Sequence, residues 1–244
     1  MRPTVYAQYE LLRTFRNKRF VVLSFGFPLV LYYLIAVPNR NVTDLQGTGI
    51  SAPVYFMVGL ASFGTMNAVL AAGARISAER TTGWNRQLRL TPLSPSAYLR
   101  VKVLTAYMVA MATILLLYVA GVSLGVRLAA GNWLQMTLLL LIGLIPFAGI
   151  GVLVGHLVSP DSVGPAIGGT TALLGLLGGV WFPITSSTMQ KVAEVLPAYW
   201  LVQASHVGIG GSGWGATGWF VVAAWSVAAG VAARRAYVRD TQRV

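Results

Sequence analysis

The chain has 244 residues, 56% of them hydrophobic and 10% charged, with no cysteine and a formal net charge of +12. Soluble domains carry about 25% charged residues, so the composition excludes an ordinary soluble domain, and the missing cysteines exclude a disulfide framework or a thiolate metal site. A charge of +12 fits nucleic acid or a membrane surface, and the position of the basic residues decides between them.

Residues 1–19 form an amphipathic arm. Val5, Tyr9 and Leu12 recur at helical spacing, flanked by Tyr6 and Phe15, and the basic cluster Arg13, Arg16, Lys18 and Arg19 follows. The pattern predicts an interfacial helix on the inner leaflet in preference to a solvated leader. A cleaved signal peptide is disfavoured, because Val37-Pro38-Asn39 is a poor small-residue cleavage site. Six apolar spans then follow at about 20–37, 53–74, 103–126, 133–158, 163–182 and 214–233. Each is near the roughly 20 residues that cross about 30 Å of hydrocarbon, and Pro28 and Pro146 are tolerable inside them. Between spans five and six, residues 183–213 are predicted as an outer segment. Its first part, 183–200, reads as two short re-entrant helices bounded by Pro183 and Pro197, with Trp181, Tyr199 and Trp200 at an interface. The expected fold is an all-α integral membrane protein of six transmembrane helices, one domain over residues 1–244.

Charge sets the orientation. The N-terminal arm has five Lys and Arg residues, residues 75–102 have six and the tail has four, against Arg40, Arg127 and Lys191 on the other side. Fifteen against three predicts that both termini and the loop 75–102 are cytoplasmic. Topology and anionic lipid thus account for the positive charge, and nucleic acid is disfavoured.

The chemistry-bearing residues are few. Glu10, Asp44, Glu79, Asp161, Glu194 and Asp240 all fall in predicted loops or arms, with no two close enough in sequence to pair as catalytic carboxylates. Proton relays want charge at membrane depth, and none is predicted there. His156 and His206 read as interfacial or hydrogen-bonded side chains, and no phosphate-binding G-x-x-x-x-G-K-[ST] occurs. In the fifth span, Gly164/Gly168 and Gly175/Gly179 are small-xxx-small pairs, with Ala172 continuing the first. They fit either a tightly packed internal helix or one at a subunit interface or passage. In the basic loop, Thr81 or Thr82 is placed to cap a short helix at about Trp84–Leu90, which Pro92 and Pro95 end, and Ser96 to cap the next helix. Trp84 and Leu88 on one face, with Arg86 and Arg89 on another, suit a groove on a soluble partner.

The order Glu79-Arg80, Gly83, Leu88, Thr91-Pro92, Tyr98 and Lys102 resembles the cytoplasmic loop of ABC-2 type transporter permeases. Gly178-Gly179, Trp181-Phe182-Pro183 and Leu196-Pro197 with Trp200 are similar to the same family's signature after its fifth span. The resemblance covers essentially the whole chain and is nearest to short drug- and antibiotic-export permeases that accompany a separate ATPase. It implies a non-enzymatic subunit of a bacterial inner-membrane exporter, with a second permease, identical or paralogous, and an ABC ATPase dimer as partners. ATP and magnesium would bind on that ATPase, with no cofactor in this chain. Glu79, Arg80, Thr81, Gly83, Trp84, Leu88 and Arg89 would form the ATPase-coupling element, with the N-terminal arm as the helix that braces it. Phe56, Met57, Phe63, Met66, Asn67, Thr170, Leu174 and Trp181 would line the substrate path, and residues 183–213 the outer gate. These apolar or weakly polar path residues suit a hydrophobic or amphipathic small-molecule cargo. Where the family often has a second acidic residue after Glu-Arg, this chain has Thr81 and Thr82. A non-transporting membrane scaffold or sensor is the alternative, and an ion-coupled secondary transporter a weaker one.

Overall fold

A computed structural model of the protein describes residues 3–83, 95–209 and 213–242, which form helices and connecting turns with no strand among them. The chain opens with α1 (Pro3–Arg16), a short α2 (Lys18–Val21), a π-helical turn over Val22–Gly26 and α3 (Phe27–Ala36). The π turn has a local cause. Pro28 has no N–H, and its ring crowds the carbonyl four residues back; a widened turn just ahead of it relieves the conflict while the helix keeps its course.

After a turn-rich loop come α4 (Ala52–Thr81) and α5 (Pro95–Ser123). The fourth predicted span is two helices, α6 (Ala130–Gly143) and α7 (Ile145–Leu157), broken at Leu144 where Pro146 enters the next turn. Then follow α8 (Pro160–Leu177), the short α9 (Ser187–Glu194) and α10 (Pro197–Gln203), a 3-10 turn over Ala204–Ile209, and α11 (Ala216–Gln242). Four stretches are long and apolar enough to cross a membrane: Ala52–Glu79, Ala97–Ser123, Ala130–Leu157 and Ala216–Arg239. Ser24–Ala36 is a shorter apolar helix.

Helix α4 is the axis of the bundle. In its most apolar stretch 89% is buried, against 22% for α11, and α3, α5, α7 and α8 all pack on it. Glycine makes the closest of these contacts possible. A methyl group on Gly73 of α4 would land in the Gly151 carbonyl of α7, and one on Gly155 would come 2.6 Å from the Gly73 carbonyl oxygen. The two backbones therefore touch, which is how helices gain contact energy where lipid removes the hydrophobic drive. The glycines singled out in the sequence behave differently. Gly164 and Gly168 of α8 face open space, whereas Gly175 sits against Phe63 and Trp181.

The two ends of the chain meet at one end of the bundle. Tyr6 of α1 packs with Ala97, Tyr98 and Val101 at the start of α5. Ile76, Val152 and Ala233 form a small cluster nearby on α4, α7 and α11, and His156 lies edge-on to Tyr237. At the opposite end the expected interfacial aromatics turn inward. Tyr199 and Trp200 are buried, with the Trp200 indole donating to the Glu194 carbonyl at 2.8 Å. Trp214 in turn donates to the Trp200 carbonyl. Their indole and phenol groups hold α9 and α10 onto the bundle.

Candidate functional site

The end that carries both termini contains a buried ionic joint. Lys102 of α5 is 1% exposed, and its Nζ donates to Glu10 Oε1 and to Glu79 Oε1, each at 2.6 Å. Arg13 Nη1 reaches the same Glu79 oxygen at 2.8 Å, and the Tyr98 hydroxyl donates to Glu79 Oε2 at 2.6 Å. Three helices thus converge: α1 supplies Glu10 and Arg13, α4 supplies Glu79, and α5 supplies Tyr98 and Lys102. Glu10 and Glu79 are themselves almost fully buried, at 3% and 2% exposure. Burial together with the two carboxylates raises the Tyr6 phenol far above the ordinary tyrosine range, so Tyr6 stays protonated beside the joint.

The turn of α1 that enters this joint is unusual in polarity. Tyr6, Glu10 and Thr14, spaced four apart, are the buried positions, while Tyr9, Leu12 and Phe15 are exposed. An amphipathic helix on a soluble protein would do the opposite. Here the polar stripe meets the protein and the apolar stripe meets the surroundings, as expected for a helix lying on lipid.

By sequence, Glu79 and Lys102 fall in a loop, and no two carboxylates are close enough along the chain to pair. The structure corrects this. Helix α5 begins at Pro95, several residues before the predicted span, so Lys102 is on a helix and inside the protein. Glu10 and Glu79 meet across a shared lysine although 69 positions separate them. The signal available in sequence was Glu10, the single acidic residue of a basic amphipathic arm, but its partner cannot be read from local spacing.

The remaining coupling residues divide in two. Arg80 and Thr81 end α4, and Gly83 follows with φ of +69°, a left-handed turn that glycine adopts without strain. The Thr82 hydroxyl bonds back to the Ala78 and Glu79 carbonyls at 3.3 Å, on the last turn of α4. Trp84, Leu88 and Arg89 lie outside the described residues, as do Arg86 and Pro92.

The proposed path residues also separate. Phe56, Met57 and Met66 are buried in the core of the protomer, Met57 against Gly121 of α5. Phe63 on α4 stacks obliquely on Trp181 at 5.2 Å between ring centres and lies 6.1 Å from Phe27 of α3. Asn67 is one turn along from Phe63, and Thr170 and Leu174 are partly exposed on α8, which packs on α4. The aromatic contact joins α3, α4 and the turn after α8, and Asn67 and Thr170 bring only amide and hydroxyl polarity. At the opposite end from the joint, a cavity of about 320 Å³ lies among Tyr55, Gly178, Gly179, Tyr199, Gln203 and His206. The Tyr55 hydroxyl donates to the Gly179 carbonyl there and ties α4 to the end of α8.

The family model described as "ABC-2 family transporter protein" matches residues 32–233, from α3 through most of α11. The chain belongs to the ABC-2 transporter family. It is 28% identical over 195 residues, 78% of each chain, to a Bacillus subtilis (strain 168) protein named "Putative transport permease YvfS". As an ABC-2 permease it is a multi-pass membrane subunit of an ABC transporter and works with an ATPase subunit. The joint straddles the edge of the match: Glu79, Tyr98 and Lys102 fall inside it, whereas Glu10 and Arg13 precede it. Within this ABC-2 permease, Tyr98→Phe removes one charge-assisted hydrogen bond and is expected to cost about 1.5–3 kcal/mol. A drop in the thermal midpoint of the purified protein, with unchanged yield, checks it.

Proposed function

We propose that the protein is the membrane half of an ATP-driven exporter in a bacterial inner membrane. It crosses the membrane six times, with both termini and the loop 75–102 in the cytoplasm. It pairs with a second permease and docks on an ABC ATPase dimer, which holds ATP and magnesium. Its cargo is a hydrophobic or amphipathic small molecule.

The ionic joint carries this reading. An ATPase that pushes on the segment after Gly83 needs a stiff connection into the bundle, because a loop tethered at its ends alone would absorb the motion. Glu79 and Lys102 stand at the two roots of that segment and are tied to each other and to α1 by charged contacts of 2.6 Å. A displacement of the segment is therefore shared by α1, α4 and α5 together. Glu79 acts here as an internal brace, and docking falls to the segment beyond Gly83. The Phe27–Phe63–Trp181 contact supports the passage assignment for Phe63, Asn67, Thr170, Leu174 and Trp181. These residues favour apolar cargo, since a charged polymer would meet no compensating charge among them.

Two outcomes are expected. Co-expressed with its ATPase partner and reconstituted in vesicles, the permease stimulates ATP hydrolysis and drives ATP-dependent transport of a hydrophobic dye. Absence of both would favour the scaffold or sensor reading. Within an active complex, Trp181→Ala is expected to change dye transport severalfold while leaving the yield and thermal midpoint of the permease close to wild type. Unchanged transport would remove Trp181 from the path.

A further inference from the structure

Arg75 belongs to the joint by position, one turn before Glu79 on α4, but only half of its guanidinium is used. Nη1 donates to Thr14 Oγ1 of α1 at 2.6 Å, and the group's central carbon stands 5.2 Å from the centre of the Phe20 ring on α2. The other edge, Nε with Nη2, is shut off from solvent and has no hydrogen-bond partner among the described residues. Those two N–H groups point the same way, in the fork that matches two oxygens of a phosphate or carboxylate. The carboxylates of the joint are already engaged: Glu79 by Lys102, Arg13 and Tyr98, and Glu10 by Lys102. Lys102, Arg13 and Arg75 against Glu10 and Glu79 leave one cation in excess. A buried fork with no anion is costly, and buried polar groups are as a rule paired.

Location selects the anion. Arg75 sits inside the elbow where α1 turns into α2, with Asn17 the one non-helical residue between them. The outside of that elbow mixes apolar and basic side chains. Leu12, Phe15 and Val22 are exposed beside Arg16 and Lys18, and Phe15 stacks face to face on Phe25 at 6.1 Å. An anion that fits both surfaces carries hydrocarbon beside its charge. We propose that the elbow is a binding site for an anionic phospholipid, whose phosphate takes the Nε–Nη2 edge of Arg75 while an acyl chain lies along Phe15 and Phe25. The fork is covered by neighbouring side chains, so the headgroup reaches it when α1 swings slightly outward about Asn17. The inference rests on α1 lying at the membrane surface, and it makes the set of the α1 brace depend on lipid charge.

The test uses the full-length permease in nanodiscs of phosphatidylcholine alone or with a graded fraction of phosphatidylglycerol. The expected result is a saturable rise in thermal midpoint with phosphatidylglycerol. Arg75→Lys, which keeps the charge but loses the fork, should need roughly tenfold more phosphatidylglycerol, the loss of about one good hydrogen-bonded pair. Arg127→Gln, exposed beyond the far end of α5 from the elbow, should shift the curve little. Equal curves for wild type and Arg75→Lys would overturn the site, and millimolar inorganic phosphate working as well as the lipid would overturn the lipid as its source. Photoreactive phosphatidylglycerol and phosphatidylcholine on the wild-type protein supply a measurement that no variant's folding can spoil. Cross-links to residues 10–25 favouring the glycerol headgroup support the proposal. Cross-links there without headgroup preference defeat the site but leave α1 at the membrane surface, and no cross-links to α1 at all would remove the interfacial placement itself.

Discussion

Lys102→Met is expected to be among the most damaging single substitutions in this protein. It leaves Glu10 and Glu79, both under 5% exposed, facing each other in the joint without their shared cation. Removing one partner of a buried ion pair typically costs about 3–5 kcal/mol, chiefly because the remaining charge stays buried and unpaired. In a domain of this size each kcal/mol lowers the thermal midpoint by about 2–4 °C, so a loss of about 10 °C and a poor yield are expected. Adding Glu10→Gln to Lys102→Met removes the charge that loses its cation, since Glu79 keeps Arg13, and should recover part of the loss. Size-exclusion profiles and thermal midpoints of the single and double variants measure both effects. Independent, additive losses would show that the three groups do not form one network.

The second large effect falls on the α4–α7 crossing. Gly73→Val places a branched side chain where the Gly151 carbonyl already lies, and nothing flexible stands between them to yield. Overpacking of this kind costs about 1–3 kcal/mol where neighbours can shift, and more where they cannot; backbone against backbone is the second case. Little folded protein is expected. Gly168→Leu on α8 is the matched control, because a Cβ there has nothing within 4 Å in the described chain. It should fold normally with an unchanged thermal midpoint. If the uncovered small-residue face of α8 packs against a second permease, the same variant should also shift the purified protein from dimer toward monomer in cross-linking. Equal expression of Gly73→Val and wild type would refute the close crossing.

How much of this was legible in the chain differs between the helices and their assembly. The apolar runs locate the helices because hydrophobicity is a local property. Their ends were less visible: α5 starts at Pro95 because proline suits the first turn of a helix, and the charges of Arg100 and Lys102 masked that start. The π turn before Pro28 could be anticipated only as a disturbance of unspecified form. Small residues show that some backbones approach closely, but not which. Gly164 and Gly168 form a regular pair and face open space, whereas Gly73 has no glycine four residues away and makes the tightest contact. The joint was the least legible feature. Glu10, Glu79 and Lys102 each read as solvated charges in their own surroundings, and only tertiary packing brings them together. The resemblance to ABC-2 permeases pointed to Glu79 as part of the ATPase-coupling element, and the structure adds that its carboxylate is buried against α1 and α5.

The measurement that tests the account most directly is the amount of dye transported per ATP hydrolysed by the reconstituted complex, compared between wild type and Glu79→Gln. Glutamine keeps the shape and can still accept a hydrogen bond, so the helices should remain assembled while the charged brace is lost. The account predicts that ATP hydrolysis continues at a substantial fraction of the wild-type rate and that transport per ATP falls severalfold. A ratio equal to wild type would contradict it, leaving the joint as a device for stability alone.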